Sequence, residues 1–285
     1  MSDLFVRPDH ISDFRRIAAV TWDAPRDPTI YGGIEVDVTE LDKYLERKRE
    51  ESGVKVTYTH AVARGVGIVL GRYPQLNATI RRGSVYLRRN IDIFLQVAIP
   101  TEKEGESLGV DLSGARVRNC DEKDIVQIAQ SLQETARRIR KRDDPLLKAT
   151  KGLLTAVPPF ASKRILRLLQ WLNHDMDIDL RRIGVPRDPF GSVCVSSVGM
   201  FGLKGGYAPL LSSASGIGVV LVSAVHKKPW VVDGDRIEAR PILPVSMALD
   251  HRVVDGYQGA ILANEVGELL HEPDRLDLAD GGFAR

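Results

Sequence analysis

The sequence predicts an α+β protein in which helices cover one face of a mixed β-sheet. Helix-like and strand-like segments alternate along the 285 residues, but without the regular strand-helix-strand repeat of a doubly wound fold. The hydrophobic content of 43% suffices for a sizeable core, and no internal repeat divides the chain. We therefore predict one domain over residues 1–285, with an amino-terminal arm (1–30), an insertion (145–190) and a carboxy-terminal tail (276–285).

Charge, cysteine content and the amino terminus narrow the class of protein. The net charge of +2, from 40 basic and 38 acidic residues, gives no bulk attraction for nucleic acid or a membrane surface. The first thirteen residues are polar and lack the apolar run of a signal peptide or membrane span. Two cysteines without CxxC spacing predict neither zinc nor a disulfide framework, and Cys194 reads as a buried small hydrophobe. The sequence thus predicts a cytoplasmic, metal-free protein without nucleic-acid or membrane partners.

The first half of the chain predicts an arm, two helices and three strands. Ile34, Val36 and Val38 alternate with acidic residues, which is typical of a strand with one wet face. Thr39 is then placed to cap a helix. The predicted segments are a short helix within the arm 1–30, a strand at 33–38, helices from Thr39 and at 59–72, and strands at 84–87 and 91–99. The last strand is almost wholly apolar and is predicted to lie inside the sheet.

The second half predicts a surface helix, an insertion and the strands that precede the final helix. Between residues 121 and 140 apolar residues recur at steps of three and four, and the segment ends in basic residues, as the helix dipole favours. The insertion contains a helix-like segment at 162–172, which we interpret as packed on its own chain or a neighbouring subunit. The remaining predicted segments are strands at 192–196, 218–225 and 244–249 and a helix at 257–270.

A histidine follows the strand 244–249, within the DHRVVDG segment of residues 250–256. A strand end holds such a side chain at a surface turn, and imidazole titrates near neutral pH, so His251 suits a general base. A histidine beside an aspartate is also typical of an ordinary hydrogen-bonded turn, and the residues alone leave both interpretations open. No second ligand lies at metal-site spacing from His251.

Two serines end the strand 192–196, ahead of a glycine-rich loop that reaches residue 206. Glycines allow the backbone to approach a ligand closely. The segment has neither a GxSxG elbow nor a phosphate-loop lysine, which argues against a serine nucleophile and a nucleotide loop. A hydroxyl of Ser196 or Ser197 could instead donate a hydrogen bond to a developing oxyanion, or both serines could be plain strand-end residues.

Four segments together carry a resemblance: DHRVVDG (250–256), VSSVG (195–199), PQLNA (74–78) and the apolar run GIGVVL (216–221). They resemble the catalytic domain of the dihydrolipoamide acyltransferases of 2-oxo acid dehydrogenase complexes. The resemblance extends from about residue 15 to residue 270, and the histidine motif is its most specific part. Because that family shares its fold with chloramphenicol acetyltransferase, the resemblance implies the same α+β architecture here.

The resemblance implies acyl transfer between thiols. In the family, the motif histidine removes the proton from a thiol of coenzyme A or dihydrolipoamide, and the thiolate attacks a thioester carbonyl. This role falls to His251. The first serine of the matching pair stabilises the oxyanion, which implies that role for Ser196, and Asp255 is expected to brace the turn through a buried ion pair. No covalent enzyme intermediate is needed.

The resemblance also implies the partners. Acyl-CoA is expected as a substrate, and the thiol partner is left open among a lipoyl domain on another protein, free coenzyme A and an acyl carrier. A homotrimer is implied, with His251 from one subunit and Ser196 from the next. No lipoyl attachment site is recognised in the chain, so a stand-alone catalytic domain is expected. The tail 276–285 lacks the short apolar end through which family trimers form cages, so cage assembly is not expected.

Two other functions stay open at this stage. The same fold could transfer an acyl group from coenzyme A to a hydroxyl or amine of a small molecule, as the chloramphenicol enzymes do. It could also serve as a non-catalytic trimeric scaffold, although a scaffold has no need of His251, Ser196 and Asp255 together. The acyl group cannot be identified from the sequence.

Overall fold

The computed structural model describes residues 27–100, 110–140, 159–183, 185, 187–210 and 216–283. The short helix predicted in the amino-terminal arm and the first part of the predicted insertion lie outside these residues. In the part of the chain that is described, no helix is both long enough and apolar enough to cross a membrane. The single-domain boundaries 1–285 stay a prediction.

The described chain contains five α-helices and nine strands in an irregular alternation. In chain order they are β1 (Thr29–Asp37), α1 (Thr39–Ser52), α2 (Tyr58–Arg72), β2 (Ala78–Arg81), β3 (Ser84–Leu87), β4 (Ile93–Pro100), β5 (Val110–Val117), α3 (Ile125–Arg140), α4 (Pro159–Gln170), β6 (Val193–Ser197), β7 (Gly218–Val222), β8 (His226–Val232), β9 (Arg236–Asp250) and α5 (Gly256–His271). Every strand and helix that the sequence predicts within the described residues is present, with boundaries shifted by a few residues.

Seven of the described strands form one mixed sheet. Their order is β1-β9-β7-β6-β4-β5, and β8 pairs with the first part of β9. Strands β4, β6 and β7 are parallel, whereas β5, β9 and β1 pair antiparallel with their neighbours. Strands β2 and β3 form a separate hairpin. The α+β class with a mixed sheet is therefore confirmed, and β4 lies inside the sheet as its apolar sequence predicts.

The fifteen-residue strand β9 is the longest element of the sheet. Its first half pairs with β8, and residues 245–249 lie between β1 and β7 with backbone bonds on both sides. A strand that is paired on both sides has both of its rows of backbone groups satisfied. The carboxyl end of β9, which the histidine motif follows, is thus held rigidly.

The helices pack against one face of the sheet. Val195, Val220 and Met247 are register partners on that face and are at most 2% exposed. Helix α2 packs against β4, β6 and β7, and α5 packs against α2 and β1. Since side chains alternate between the two faces of a strand, Ser196 and its register partners point to the opposite face. The helix-covered face is the core, and the opposite face carries the serine.

Two helix starts differ from the sequence prediction. Thr39 is the first helical residue of α1, and the N-cap is Val38, which makes no side-chain capping bond. The Asp37 carboxylate holds Thr39 by accepting hydrogen bonds from its backbone N–H and hydroxyl, at 3.0 and 2.6 Å. Helix α3 starts at Ile125, four residues later than predicted, because Asp124 and Gln127 form a reciprocal capping box with bonds of 2.7 and 3.1 Å.

Three strands, β2, β5 and β8, were not predicted, nor was the first half of β9. β8 contains two lysines and a proline, residues that are depleted in strands, and among the described strands it pairs with β9 alone. Proline is tolerated there because an edge strand leaves one row of backbone groups unpaired. β5 ends the strand order opposite β1 and, within the described chain, pairs only with β4. Edge strands need little apolar alternation, so the sequence pattern indicates them weakly.

The described part of the predicted insertion packs on its own chain. Helix α4 continues into a π-helical turn, Trp171–Asp175, which docks on the β2–β3 hairpin. The guanidinium of Arg81 donates to the carbonyl of His174 at 2.6 Å, and the backbone N–H of Arg82 donates to the Asp175 carboxylate at 2.9 Å. This agrees with the interpretation of a segment packed against its own protein.

Candidate active site

Backbone bonds on two sides fix the turn that holds His251. The N–H of Asp250, the last residue of β9, donates to the carbonyl of Ile217 at 2.9 Å. The N–H of His251 donates to the carbonyl of Pro28, just before β1, at 2.8 Å. The histidine therefore follows directly from strand pairing with both neighbours of β9. Its position is set by the sheet, as the sequence predicts for a side chain just past a strand end.

An arginine-carboxylate pair adds a second restraint on this turn. The guanidinium of Arg252 donates to both carboxylate oxygens of Asp250, with bonds of 2.9 and 2.6 Å, and its backbone N–H donates to the same carboxylate at 3.0 Å. Burial raises the pKa of Asp250, but these hydrogen bonds outweigh burial, so the pKa lies below its ordinary value. Asp250 is thus an ionised, buried anchor beside His251.

The hydrogen bond of the His251 ring identifies its basic nitrogen. Nδ1 lies 3.2 Å from the carbonyl oxygen of Val254. A carbonyl only accepts, so the neutral ring carries its proton on Nδ1 and its lone pair on Nε2. His251 is exposed, and within the described residues Nε2 has no hydrogen-bond partner. The turn therefore presents an unprotonated nitrogen to solvent, as a general base requires.

Asp255 acts differently from the expectation. Its carboxylate accepts the backbone N–H of Gln258 at 2.8 Å, while the Gln258 side chain accepts the N–H of Asp255 at 3.1 Å. This is a capping box at the start of α5. Asp255 is exposed, and the expected buried ion pair is not found among the described residues. The ion pair at this turn belongs to Asp250 and Arg252 instead, because the N-cap position directs the Asp255 carboxylate to backbone N–H groups.

Ser196 lies near the carboxyl end of β6, on the face of the sheet away from the helices. Its side chain is buried, with 9% of the residue exposed. The hydroxyl donates to Oε1 of Gln96 on the neighbouring strand β4 at 2.6 Å. The row of register partners continues through Leu221 on β7 to Ser246 on β9. Ser196 is therefore a buried hydroxyl, held on this face by strand pairing and by the amide of Gln96.

The loop after β6 passes close to the sheet and exposes apolar side chains. A Cβ at Gly199 would lie 2.6 Å from the carbonyl oxygen of Ser223, so only glycine fits there. The loop continues over the face that carries Ser196, where the hydroxyl of Ser246 donates to the carbonyl of Gly206. Large apolar side chains on this loop are half-exposed or more: Met200, Phe201, Leu203 and Tyr207. We call these four residues the apolar cluster; exposed apolar side chains grouped along one loop are typical of an interaction surface.

His251 and Ser196 lie at opposite ends of the sheet within one chain. Ser196 is in register with Leu221 and Ser246, and His251 follows Ser246 by five residues along β9. At 3.3 Å per residue, and across two strand spacings, the two residues are on the order of 15–20 Å apart. Their side chains cannot both contact one carbonyl group. In a single chain the structure does not bring these two predicted site residues together.

The remaining candidate side chains do not add a reactive centre. Cys194 and Cys120 are both buried and free, and burial raises the pKa of each thiol to about 12. Cys194 is therefore a buried small hydrophobe, as predicted. Among the described residues, no group of three His, Cys, Asp or Glu side chains is placed to hold a metal ion.

Sequence reasoning missed two contributors to this region. Gln96 contacts Ser196 directly, and its signal is a single amide inside the apolar run of β4. Arg252 fixes the turn beside His251, and it lies in the DHRVVDG segment, where only His251 and Asp255 were singled out. Both effects depend on side-chain direction, which the sequence pattern does not specify.

The fold is that of an α+β protein with a mixed sheet, and His251 and Ser196 lie at two ends of that sheet. The chain belongs to the family of 2-oxoacid dehydrogenase acyltransferases, catalytic domain, whose profile matches residues 13–155 and 189–278. The unmatched stretch between them falls within the predicted insertion. The resemblance seen in the sequence is confirmed.

Curated relatives carry two different acyl specificities in their names. The chain is 24% identical over 250 residues to the dihydrolipoyllysine-residue acetyltransferase component of the pyruvate dehydrogenase complex of Acholeplasma laidlawii, covering 86% of this chain and 37% of the relative. It is 22% identical over 247 residues to the succinyltransferase component of the 2-oxoglutarate dehydrogenase complex of Staphylococcus saprophyticus, covering 85% and 46%. The chain thus spans less than half the length of these relatives.

Solved structures share the fold over nearly the whole chain. A probable dihydrolipoamide acetyltransferase from Listeria monocytogenes superposes with a TM-score of 0.62 at 19% identity, covering 94% of this chain and 95% of that one. The dihydrolipoamide acetyltransferase of Azotobacter vinelandii, in which a serine, a histidine and an asparagine were investigated for roles in catalysis, gives 0.61 at 20% identity, covering 96% and 100%. These likenesses confirm the fold.

Proposed function

We propose that the protein transfers an acyl group between two thiols, with His251 as general base and Ser196 as oxyanion donor. The observation that carries this proposal is the ring of His251, whose Nδ1–H is held by the carbonyl of Val254 and whose Nε2 has no hydrogen-bond partner among the described residues. Membership of the family and the shared fold support it. The Azotobacter enzyme was likewise studied at a histidine and a serine.

The proposed reaction needs only these side chains and the two substrates. Nε2 of His251 accepts the proton of the attacking thiol as its sulfur adds to the thioester carbonyl. The carbonyl oxygen becomes an oxyanion, which accepts a hydrogen bond from the Ser196 hydroxyl. The tetrahedral intermediate then collapses, its bond to the original sulfur breaks, and the departing thiolate takes the proton back from the imidazolium. The proton count is unchanged over the cycle, and no acyl-enzyme is formed.

The proposal places each active site between two copies of the chain. Because His251 and Ser196 are too far apart within one subunit, His251 of one copy must meet Ser196 of another. The half-exposed apolar cluster beside Ser196, Met200, Phe201, Leu203 and Tyr207, supplies a surface for such an interface. A closed ring, in which each subunit meets the next through the same pair of surfaces, gives equivalent sites. We propose a homotrimer of this kind.

The proposed substrates are coenzyme A thioesters and a second thiol carried by another protein. The names of the relatives support a lipoyl group as that thiol, and an acyl carrier is the alternative. Acetyl and succinyl groups both occur among the relatives, so the acyl group is left open. A cytoplasmic location, where coenzyme A is available, also stays a proposal.

The direct test is acyl exchange between acetyl-CoA or succinyl-CoA and dihydrolipoamide. His251→Ala is expected to abolish exchange while the oligomer and the thermal unfolding midpoint are retained. Ser196→Ala is expected to lower kcat roughly 100- to 1,000-fold with little change in KM. His271→Ala, an exposed histidine at the end of α5, is the matched control and should be fully active. Wild-type activity in His251→Ala would refute the proposal.

A further inference from the structure

The amide of Gln96 is the one described side chain that hydrogen-bonds Ser196. Oε1 of Gln96 accepts the Ser196 hydroxyl at 2.6 Å. The two residues lie on adjacent parallel strands, one position beyond the last register pair, Leu95 with Val195. Gln96 is half-buried, and its amide nitrogen has no partner among the described residues. The contact therefore joins a buried serine to an amide with unused donors.

The surroundings of Gln96 favour this contact over others. Phe94 is the next residue on the same face of β4. Its ring lies over Gly114 and fills the space that a Cβ at position 114 would need. Gly114 is the register partner of Gln96 on β5, and Phe190 packs edge-on against Phe94 with ring centroids 5.1 Å apart. Aromatic rings thus occupy one flank of Gln96, while the other flank is open to Ser196.

The observed direction of this hydrogen bond conflicts with the proposed role of Ser196. A serine hydroxyl has one hydrogen, so a hydroxyl that donates to Gln96 cannot donate to an oxyanion at the same time. The amide can resolve the conflict, because its terminal torsion is roughly two-fold and its oxygen and nitrogen are similar in size. After a half-turn, Nε2–H of Gln96 donates to the serine oxygen, and the hydroxyl hydrogen is released.

We propose that Gln96 is a positioning residue that holds Ser196 before the reaction and reverses their hydrogen bond during it. This inference rests on the proposed function. In the transition state the chain of bonds runs from Nε2–H of Gln96 to Oγ of Ser196, and from the hydroxyl of Ser196 to the oxyanion. Each donor in such a chain polarises the next, which strengthens the final bond in a low-dielectric site. Both orientations occupy the same space, so no backbone movement is needed.

Two substitutions separate this role from simple packing. Gln96→Glu has nearly the same shape, but its carboxylate only accepts, so it should keep the Ser196 hydroxyl turned away from the substrate. We expect kcat to fall roughly 100-fold, close to the loss in Ser196→Ala, with KM within about twofold of wild type. Gln96→Met removes the amide but leaves the hydroxyl free, and kcat should fall only about five- to tenfold, as for one neutral hydrogen bond. Gln130→Glu, on the exposed face of α3, makes the same chemical change and should be fully active.

A double-mutant cycle with Ser196→Ala decides between direct and indirect action. If Gln96 acts through Ser196, Gln96→Met should cause no further loss of kcat in the Ser196→Ala background. Additive losses would overturn the proposal, as would a Gln96→Glu variant with the kcat of wild type. If circular dichroism shows that Gln96→Glu does not fold, the double-mutant cycle of Gln96→Met with Ser196→Ala still decides whether Gln96 acts through Ser196. Failure of the proposed function is a different result, an active His251→Ala variant or a wild-type protein without thiol exchange.

Discussion

Arg252 and Asp250 form a side-chain pair that fixes the turn holding His251, the proposed general base. The guanidinium is largely exposed, but it binds both oxygens of a carboxylate whose side chain is 8% exposed. Removing the arginine would leave a buried carboxylate beside His251 with a single backbone donor, the N–H of residue 252. A buried charge that loses its partner costs more than the pair itself contributes.

We predict that Arg252→Ala destabilises the protein by about 1 kcal/mol at neutral pH, a value limited by the exposure of the guanidinium. Because the pKa of Asp250 is lowered in the folded state, its contribution is present above the ordinary carboxyl pKa of about 4 and is lost as the pH falls below it. Urea unfolding of the wild type and Arg252→Ala at pH 7 and pH 3 measures this contribution. The difference between their free energies of unfolding should be smaller at pH 3. An equal difference at both pH values would contradict the assignment, and Arg236→Ala, an exposed pair with Asp233, is the control.

At the scale of elements, the start of α2 ties folding stability to pH through one histidine. Nδ1 of His60 accepts the backbone N–H of Thr57 at 3.0 Å, so that nitrogen carries no proton. Burial lowers the pKa of His60 to about 4. In the unfolded chain the imidazole of His60 is protonated near pH 6.5, whereas in the folded protein it is protonated only near pH 4. Stability therefore falls as the pH drops from about 6.5 to 4.

We predict that His60→Gln removes most of this pH dependence. Glutamine can still accept the Thr57 N–H, because a threonine followed three residues later by glutamine is a capping-box sequence. Between pH 7.5 and 4.5 the free energy of unfolding of the wild type should fall by roughly 2–3 kcal/mol because of His60. The fall in the variant should be smaller by this contribution. Denaturant titrations at the two pH values measure the difference. Identical losses in both proteins would show that His60 is not the group responsible.

Strand β7 supplies a second prediction at this scale. It lies between β6 and β9, and a Cβ at Gly218 would stand 2.3 Å from the backbone carbonyl of Ala248. Gly218→Ala should therefore destabilise the protein by roughly 1–3 kcal/mol through overpacking against backbone. Gly32→Ala, on the neighbouring strand pair, has no atom within 4 Å of the added Cβ and is the matched control. Equal unfolding midpoints for the two variants would contradict the close approach.

The elements that could be predicted from the sequence are those with a strong apolar period. Helix α2 and the central strands bury most of their side chains, and α5 buries one stripe, Leu262, Val266, Leu269 and Leu270. Strand β8 could not be predicted, since its lysines and proline are acceptable only on an edge. The start of α3 was misplaced because its cap is decided by the reciprocal bonds of Asp124 and Gln127.

The candidate site was predictable only in part. His251 and Ser196 stand out through motif and strand position, and the resemblance assigns their roles. The hydrogen bonds of Asp255 and Gln96 depend on which way each side chain turns, and no spacing rule specifies that. For the same reason the sequence suggested an ion pair for Asp255, although the pair forms between Asp250 and Arg252.

At the scale of the whole molecule, the proposed function requires a second copy of the chain. His251 follows Ser246, which lies in the same register row as Ser196, by five residues, so in this proposal one chain contributes to two different active sites. The apolar cluster beside Ser196 is half-exposed or more in a single chain. Activity should therefore depend on assembly, and dilution below the dissociation constant of the oligomer should abolish it.

Complementation between two inactive variants tests the central claim most directly. Subunits of His251→Ala and Ser196→Ala are mixed in equal amounts, dissociated together and reassembled, and acyl exchange is measured. In a ring, half of the subunits bring an intact histidine and half of the next neighbours bring an intact serine, so about a quarter of the wild-type activity should return. Reassembled mixtures that are no more active than the two variants measured separately would contradict an active site shared between subunits.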